Sequence, residues 1–230
     1  MSVERAISFT PDMVAGVSSR DINKYDMVYL GSEFCQNLLP AKDDFRLLAE
    51  AGAKKIVLLT APMSGEGLRR AFALITWLSR RGVAFEVVVG DLGLLRLIGK
   101  MKNVKPFVSI SRVLCREFTS MPAVDMELFS KKYGISRVET DSGAAVLKLL
   151  GRSLLINFHY PFRYAVLSRY CPFLRKIGVC SGRPCAGKSV KLIHPGFSAH
   201  SLFLRNNTYF FKNRTPSDRT GIKRLVYARW

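Results

Sequence analysis

Four of the five cysteines in this chain have the side-chain type and spacing of a metal or iron-sulfur ligand set: Cys35, Cys171, Cys180 and Cys185. Three of them fall within fifteen residues of Pro- and Gly-containing sequence, where they can wrap round a soft metal centre whose fourth ligand comes from a distant loop. A zinc ion with four thiolate ligands is chemically as possible as an iron-sulfur cluster, although only Cys180 and Cys185 have the short spacing of a zinc knuckle. The composition leaves an iron-sulfur cluster, zinc and unrelated buried thiols open.

The fifth cysteine, Cys115, follows Val113 and Leu114, and we expect it to be a small buried apolar side chain. The sequence contains no apolar run of the roughly 18 to 20 residues that a membrane span needs, and its first residues lack the apolar block of a secretion signal. We therefore expect a cytoplasmic protein without a transmembrane span. Its thiols should be reduced, and clustered cysteines then indicate metal or redox chemistry rather than disulfides.

The segment from Gly182 to Ser189 matches the P-loop pattern letter for letter. A working P-loop lies between a strand and a helix, because the amides at the helix N-terminus hold the phosphates. Pro195 and Gly196 would stop such a helix early, and Asp218 is the only acid downstream that could bind magnesium. We therefore expect no nucleotide hydrolysis.

Five acids lie near predicted strand ends and could act as acids, bases or polar substrate contacts: Glu33, Glu86, Asp91, Glu139 and Asp141. The four candidates for contacting a substrate are Glu33, Asp91, His159 and Arg163. His159 is explained more simply as a hydrogen-bonded residue at a strand end. No nucleophile and base can be paired from the sequence, so no hydrolase set and no catalytic residue is predicted. The aromatic and basic stretch from Phe158 to Phe173 suits an anionic aromatic ligand or a nucleic acid. Equally, it suits an amphipathic helix that covers one end of the core.

The chain carries a net charge of +19, and most of this excess lies near its C-terminus. From Gly151 onward there are 15 Lys and Arg residues against one acid, Asp218, which leaves +14. Such an excess attracts polyanions or acidic partners without specifying which. A solvated basic face is the alternative interpretation.

Short β-rich runs alternate with amphipathic helical patterns between residues 26 and 157. The predicted strands are Met27 to Leu30, Lys55 to Thr60, Phe85 to Val89, Phe107 to Ile110, Arg137 to Thr140 and Leu154 to Asn157. The predicted helices are Asp43 to Ala51, Glu66 to Arg81, Leu92 to Met101, Met126 to Tyr133 and Ala144 to Leu150. This alternation predicts βα units with parallel strands. The expected fold is an α/β protein of the (β/α) barrel or TIM-barrel-like type, either incomplete or closed by the C-terminal segment, with an open doubly wound sheet as the alternative.

We expect one domain over residues 1–230. Its predicted parts are βα units over residues 20–157, an irregular Cys-containing and cluster-binding segment over 158–211, and a loose basic tail over 212–230. A hairpin is predicted from Leu202 to Leu204 and from Tyr209 to Phe211. In parallel α/β folds the carboxyl ends of the strands form the functional rim, and Cys35 lies on such a loop.

Three stretches together resemble the collagenase-like peptidase family, peptidase family U thirty-two, and within it the ubiquinone-biosynthesis branch. They are Asp26 to Cys35 (DMVYLGSEFC), Gly90 to Gly93 (GDLG) and Ser168 to Cys171 (SRYC). The resemblance covers most of residues 20–210, in the same order as in the family.

The resemblance implies a (β/α) barrel-like domain whose [4Fe-4S] cluster is held by Cys35, Cys171, Cys180 and Cys185. It also implies anaerobic, oxygen-independent hydroxylation of a small aromatic quinone precursor in ubiquinone biosynthesis, as one subunit of a heterodimer with a related family member. Other branches of the family resemble RNA-hydroxylation factors, which would suit the basic C-terminal segment. Some members are classed as peptidases, although this chain displays no protease machinery.

Overall fold

The computed structural model describes residues 3–82, 84–102, 105–177, 180, 185–186, 188–193 and 201–229. The strands, in chain order, are β1 (Glu4–Phe9), β2 (Met27–Gly31), β3 (Ile56–Leu59), β4 (Glu86–Val89), β5 (Phe107–Ile110), β6 (Ile135–Thr140), β7 (Leu155–Tyr160), β8 (Phe162–Leu167), β9 (Tyr170–Cys171), β10 (Lys176–Ile177), β11 (Ser189–Leu192), β12 (Leu202–Arg205), β13 (Thr208–Lys212) and β14 (Ile222–Ala228). The α-helices are α1 (Ser19–Ile22), α2 (Lys42–Glu50), α3 (Gly65–Ser79), α4 (Leu92–Gly99), α5 (Arg112–Phe118), α6 (Ala123–Tyr133) and α7 (Gly143–Leu149). Two short 3₁₀ helices span Pro11–Gly16 and Gln36–Leu38.

Eight parallel strands close a barrel in the order β1, β14, β7, β6, β5, β4, β3, β2. All six predicted strands are among them, and the predicted (β/α) barrel-like fold is confirmed. The open-sheet alternative is wrong, because β1 pairs with β2 on one side and with β14 on the other. Helices follow β2, β3, β4, β5 and β6, which is the arrangement that packs a helical layer on parallel strands.

The predicted loose tail over residues 212–230 is wrong, because Ile222–Ala228 forms β14 in the barrel wall between β1 and β7. The sequence around Arg224 suggests a solvated basic tail, but Arg224 is only 1% exposed. Its guanidinium donates to Glu4 at 3.0 Å and to Glu86 at 2.8 Å. The basic character of this segment is therefore partly neutralised inside the barrel.

Alternate residues along the barrel strands point inward, as the two-residue period of a strand requires. Tyr29 of β2 donates to Glu139 of β6, on the far side of the barrel, which assigns both to the interior. A small apolar cluster shares this interior: Ala6, Met27, Tyr29, Val57, Leu59, Val88 and Val226. The larger apolar core lies between the strands and the outer helices.

The sequence analysis does not predict helix α5. It does predict that Cys115, which lies on this helix, is buried, and this prediction is confirmed. Cys115 is 5% exposed and packs in the main core with Phe118. Burial raises the pKa of the Cys115 thiol to about 12, so it stays a neutral apolar group near neutral pH.

Between β7 and β14 the chain leaves the barrel and forms a small antiparallel sheet in the order β11, β12, β13, β8, together with the pair β9 and β10. The predicted hairpin is confirmed as β12 and β13, and Asn206 at its turn has a φ of 55°. The alternative of an amphipathic helix over residues 158–173 is wrong, since this stretch supplies the end of β7 and the strand β8. No described helix is long and apolar enough to cross a membrane.

Candidate functional site

The four candidate thiols of Cys35, Cys171, Cys180 and Cys185 line one cavity of about 320 Å³. One wall of the cavity consists of the loops that follow β2, β3 and β4 at the carboxyl end of the barrel. The opposite wall comes from the segment between β8 and β13. The fold thus brings together cysteines that are more than a hundred residues apart in the sequence. We call this space the thiol cavity.

The loop that carries Cys35 is tied to the C-terminal segment. The Ser32 hydroxyl accepts the backbone N–H groups of Phe34 at 3.1 Å and Cys35 at 3.2 Å, which curls the loop into the 3₁₀ turn Gln36–Leu38. The side-chain amide of Asn207, at the hairpin turn, donates to the Phe34 carbonyl at 3.3 Å and to the Ser168 carbonyl at 2.8 Å. These bonds link the loop after β2 directly to the segment that contributes the other three cysteines.

The thiols influence each other electrostatically. The pKa of Cys35 is raised to about 11, mainly by burial. A backbone hydrogen bond from Asn37 lowers this pKa, whereas the nearby thiols of Cys185, Cys171 and Cys180 raise it. Burial also raises the pKa of Cys185, with Cys171 and Cys180 adding to the effect. Because neighbouring thiolates repel, a cation is required to hold these groups in the deprotonated, metal-binding form.

A zinc ion and an iron-sulfur cluster require different arrangements of the four thiols. Among the described residues, no three His, Cys, Asp or Glu side chains are arranged so that they could hold a single metal ion. A four-thiolate zinc site, with Zn–S bonds of about 2.3 Å, draws its sulfurs to about 3.8 Å from one another. An iron-sulfur cluster binds each thiolate through a different iron and keeps the sulfurs farther apart. Cys35, Cys171, Cys180 and Cys185 could serve as thiolate ligands of either kind of centre.

Asp91 also lines the thiol cavity, but both of its carboxylate oxygens are engaged. One oxygen accepts the N–H of Leu94 at 3.1 Å and caps α4, and the other accepts the N–H of Met63 at 3.0 Å. Asp91 thus holds two loops of the cavity wall together, as expected of an N-cap residue.

Glu33 lies beside the cavity in a buried ion pair. Its carboxylate accepts the backbone N–H of Arg112 at 2.8 Å and the Arg112 guanidinium at 2.7 and 2.6 Å. The same guanidinium lies 3.4 Å from Asp141, whose carboxylate also accepts the N–H of Tyr164 at 2.7 Å. Burial raises the pKa of Asp141 to about 6, against the opposing effect of Arg112.

His159 is hydrogen-bonded at the end of its strand, as the simpler interpretation predicts. It is 1% exposed, and its Nε2 lies 2.7 Å from Glu139. Burial lowers the pKa of His159 to about 3, so the ring is neutral and Nε2–H donates to the carboxylate. Its Nδ1 has no hydrogen-bond partner among the described residues.

Glu139 is the centre of a polar group inside the barrel. It accepts hydrogen bonds from Ser109 at 2.6 Å and Asn157 at 2.7 Å, besides those from His159 and Tyr29. Burial nonetheless raises its pKa above the usual value.

Arg163, the last of the four sequence candidates for substrate contact, lies apart from this group. It is exposed on β8, and its guanidinium stands 5.9 Å from the centre of the Phe211 ring. It is not among the described residues that line the thiol cavity.

Sequence reasoning placed Glu139 and Asp141 near strand ends, but it missed Arg112 and the roles of Tyr29, Ser109 and Asn157 around Glu139. A local signal does exist for part of this polar group, because Arg137, Glu139 and Asp141 recur at the two-residue period of a strand. Arg112 offers no such signal, since its partners Glu33 and Asp141 lie 79 and 29 residues away.

The described end of the P-loop-like segment does not form a helix. Ser189–Leu192 is the strand β11, which pairs with β12, whereas a P-loop is followed by a helix. Residues 182–184 and 187 of the segment lie outside the described part of the chain, as do His194 and His200.

Comparison of the chain with protein families, with curated proteins and with solved structures found no match.

Proposed function

We propose that the protein is an iron-sulfur protein, similar to the ubiquinone-biosynthesis protein UbiV, that takes part in the oxygen-independent hydroxylation of a quinone precursor. The single observation that carries the proposal is that Cys35, Cys171, Cys180 and Cys185 line one cavity. These four residues would hold a [4Fe-4S] cluster, whose chemistry is one-electron transfer at a potential set by its surroundings.

The rest of the cavity wall supports a redox role next to a substrate. Polar groups of Ser168, Arg169 and Asn206 stand among the thiols, beside the apolar Ile177. Hydrogen bonds and cations near cluster sulfurs shift the reduction potential of a cluster. The same groups suit the polar end of a small aromatic molecule, as the resemblance to the family implies.

The barrel interior supplies a further polar surface at the same end of the fold. Glu33 follows β2, Asp141 follows β6 and His159 lies near the end of β7, at the carboxyl ends of the strands, where ligands of β/α barrels bind. A related family subunit, similar to UbiU, is proposed as the partner in a heterodimer.

The test is metal analysis of protein purified without oxygen. We expect about four irons and four acid-labile sulfides per chain, as a four-thiolate cubane requires. Variants with Ala at Cys35, Cys171, Cys180 or Cys185 should each lose most of the iron. Cys115→Ala is the matched control, because Cys115 is buried in the main core, and it should keep the iron.

Equal iron in all five variants, or no iron in the wild type after anaerobic reconstitution, would refute the cluster. One zinc per chain without iron would show that the thiols form a structural zinc site and not an iron-sulfur cluster. Within the cluster proposal, deleting the gene should abolish the quinone product only under anaerobic growth.

A second candidate function, RNA binding by a hydroxylation factor of the same family, is favoured by one observation. Exposed basic side chains are concentrated in the segment from β8 to β11, which also contributes Cys171, Cys180 and Cys185 to the thiol cavity: Arg163, Arg169, Arg175, Lys176, Lys188 and Lys191. Phosphate contacts of this kind give binding that weakens steeply with salt. A salt-sensitive gel shift with RNA, reduced in Lys188→Ala/Lys191→Ala and unchanged in Lys148→Ala on α7, would support this candidate, whereas no shift at low salt would eliminate it.

A further inference from the structure

The helix α6 carries apolar side chains on both of its faces. On the inner face, Met126 is 4% exposed, and Phe129 and Tyr133 pack against the main core. On the outer face, Val124 is 68% exposed and Leu128 is 61% exposed, one helical turn apart. A helix at the surface of a monomer normally has one apolar stripe, and apolar residues on both sides are typical of a helix that is covered on both sides.

The next connection of the barrel continues this outward apolar surface. The helix α7 exposes Leu147 at 71%, and Leu150, which directly follows α7, is 37% exposed. Because α6 precedes β6 and α7 follows it, the two helices belong to neighbouring positions of the helical layer around the barrel. Exposed apolar side chains grouped in this way mark a surface that binds another protein.

The charges of the chain restrict where a second copy can bind. Ile177, Val190 and Ile193 are also exposed, but they lie in the segment from Gly151 onward, whose net charge is +14. Two copies would repel each other there. The outer face of α6 instead exposes two acids and two bases: Asp125, Glu127, Lys131 and Lys132.

This balanced set of charges is available for contacts with another molecule. None of the four side chains forms an ion pair with a described residue. Lys132 lies 5.5 Å from the centre of the exposed edge of its neighbour, the Tyr133 ring, a contact that leaves its charge uncompensated. The outer face of α6 is therefore locally neutral, unlike the strongly basic C-terminal segment.

The order of the charges makes α6 complementary to itself. With 3.6 residues per turn, Asp125 and Lys132 lie on one flank of Leu128, and Glu127 and Lys131 lie on the other. When two copies pack antiparallel with Leu128 at the centre, Asp125 faces the partner's Lys132 and Glu127 faces the partner's Lys131. A two-fold axis generates each of these pairs twice. The antiparallel arrangement also brings opposite ends of the two helix dipoles together.

We propose that α6 is the interface of a homodimer, in which two copies of this chain pack as an antiparallel, two-fold symmetric helix pair. The helix has 11 residues, or a length of about 16 Å, so the interface is small and a Kd in the micromolar range is expected. The described lining of the thiol cavity includes no residue of α6. The dimer is therefore expected in metal-free and metal-loaded protein alike, and the proposal stands or falls separately from the iron-sulfur cluster.

The test is sedimentation velocity of the full chain between about 1 and 200 μM, a range that brackets a micromolar Kd. We expect a reversible equilibrium between monomer and dimer. Leu128→Lys should weaken the dimer at least about tenfold, because it removes the central apolar contact and places two like charges there. Asp125→Lys should weaken it about fivefold, because a lysine then faces the partner's Lys132 in both symmetric pairs.

A charge exchange tests the antiparallel arrangement itself. Asp125→Lys/Lys132→Asp restores opposite charges across the interface and should dimerise within about twofold of the wild type. Val166→Lys on β8 is the matched control, because Val166 is 54% exposed and lies outside α6. This variant should dimerise as the wild type does. Circular dichroism checks that each variant is folded, as expected for changes at exposed positions.

A wild-type protein that stays monomeric at the highest concentration would overturn the proposal. A dimer of unchanged affinity in Leu128→Lys would do the same, because the contact would then lie elsewhere. A folded exchange variant that dimerises as weakly as Asp125→Lys would overturn the antiparallel pairing.

Discussion

The buried ion pair between Arg112 and Glu33 gives the sharpest test of the structure. Their side chains are 7% and 0% exposed, and two hydrogen bonds and a further guanidinium–carboxylate contact of 2.6 Å join the two residues. Removing one partner of such a pair leaves a charge in a low-dielectric interior. The free-energy cost of leaving one charge unpaired in the interior is much larger than the net stabilisation that the pair itself provides.

Arg112→Met removes the cation and keeps much of the side-chain volume. Glu33 then retains only the backbone N–H of residue 112 among its described hydrogen bonds to that residue, so we expect a loss of about 3 to 5 kcal/mol in the free energy of unfolding. Glu33→Gln should cost less, about 1 to 3 kcal/mol, because Asp141 remains 3.4 Å from the guanidinium and the Gln oxygen still accepts a hydrogen bond. The double variant removes both charges and should cost less than the sum of the two single variants.

The assay is urea unfolding at pH 7.5, followed by circular dichroism and by the fluorescence of Trp77. A coupling free energy of at least about 1 kcal/mol is expected from the double-mutant cycle. Additive effects within about 0.5 kcal/mol would refute the reasoning, because two residues that share two hydrogen bonds and a buried ion pair cannot act independently. Losses below about 1 kcal/mol in both single variants would likewise contradict a buried pair.

Two further predictions concern the mouth of the barrel. Folding raises the Asp141 pKa from 3.8 to about 6, so this group contributes stability that is present below pH 3.8 and lost as the pH rises through 6. Relative to Asp141→Asn, the wild type should therefore gain about 2 kcal/mol between pH 7 and pH 4, measured by urea unfolding, and parallel pH profiles would contradict this. Gly31 has a φ of 116°, and an added Cβ would lie 2.7 Å from the Leu59 carbonyl oxygen. Gly31→Ala should lower the stability by about 2 kcal/mol or more. Gly143→Ala in the open first turn of α7 should not, and equal effects of the two changes would count against the backbone strain.

Much of the fold can be predicted from the sequence because the patterns that indicate it are local. The runs from Met27 to Leu30 and from Ile56 to Leu59 are apolar, short and followed by helical periodicity, and this pattern depends only on neighbouring residues. The hairpin round Asn206 is predictable for the same reason, since Asn tolerates the left-handed conformation at a turn. The candidate ligand cysteines can be recognised by residue type alone.

The strand β14 was missed because its partners are remote. Its adjacent basic residues Lys223 and Arg224, in a basic C-terminal stretch, suggest a solvated tail until Arg224 is paired with Glu4, 220 residues away. The strand β1 was missed alongside it, because each of the two closes the barrel only in the presence of the other.

The sequence by itself determined the βα alternation, the parallel strands and the set of four thiols. Only the tertiary structure decided that the barrel closes through its two terminal strands and that the thiols line one cavity. It alone also decided that Glu33, Arg112 and Asp141 meet at the barrel mouth. The physical reason is the same in each case: periodicity is encoded residue by residue, whereas burial of a charge or convergence of side chains depends on which distant strands become neighbours.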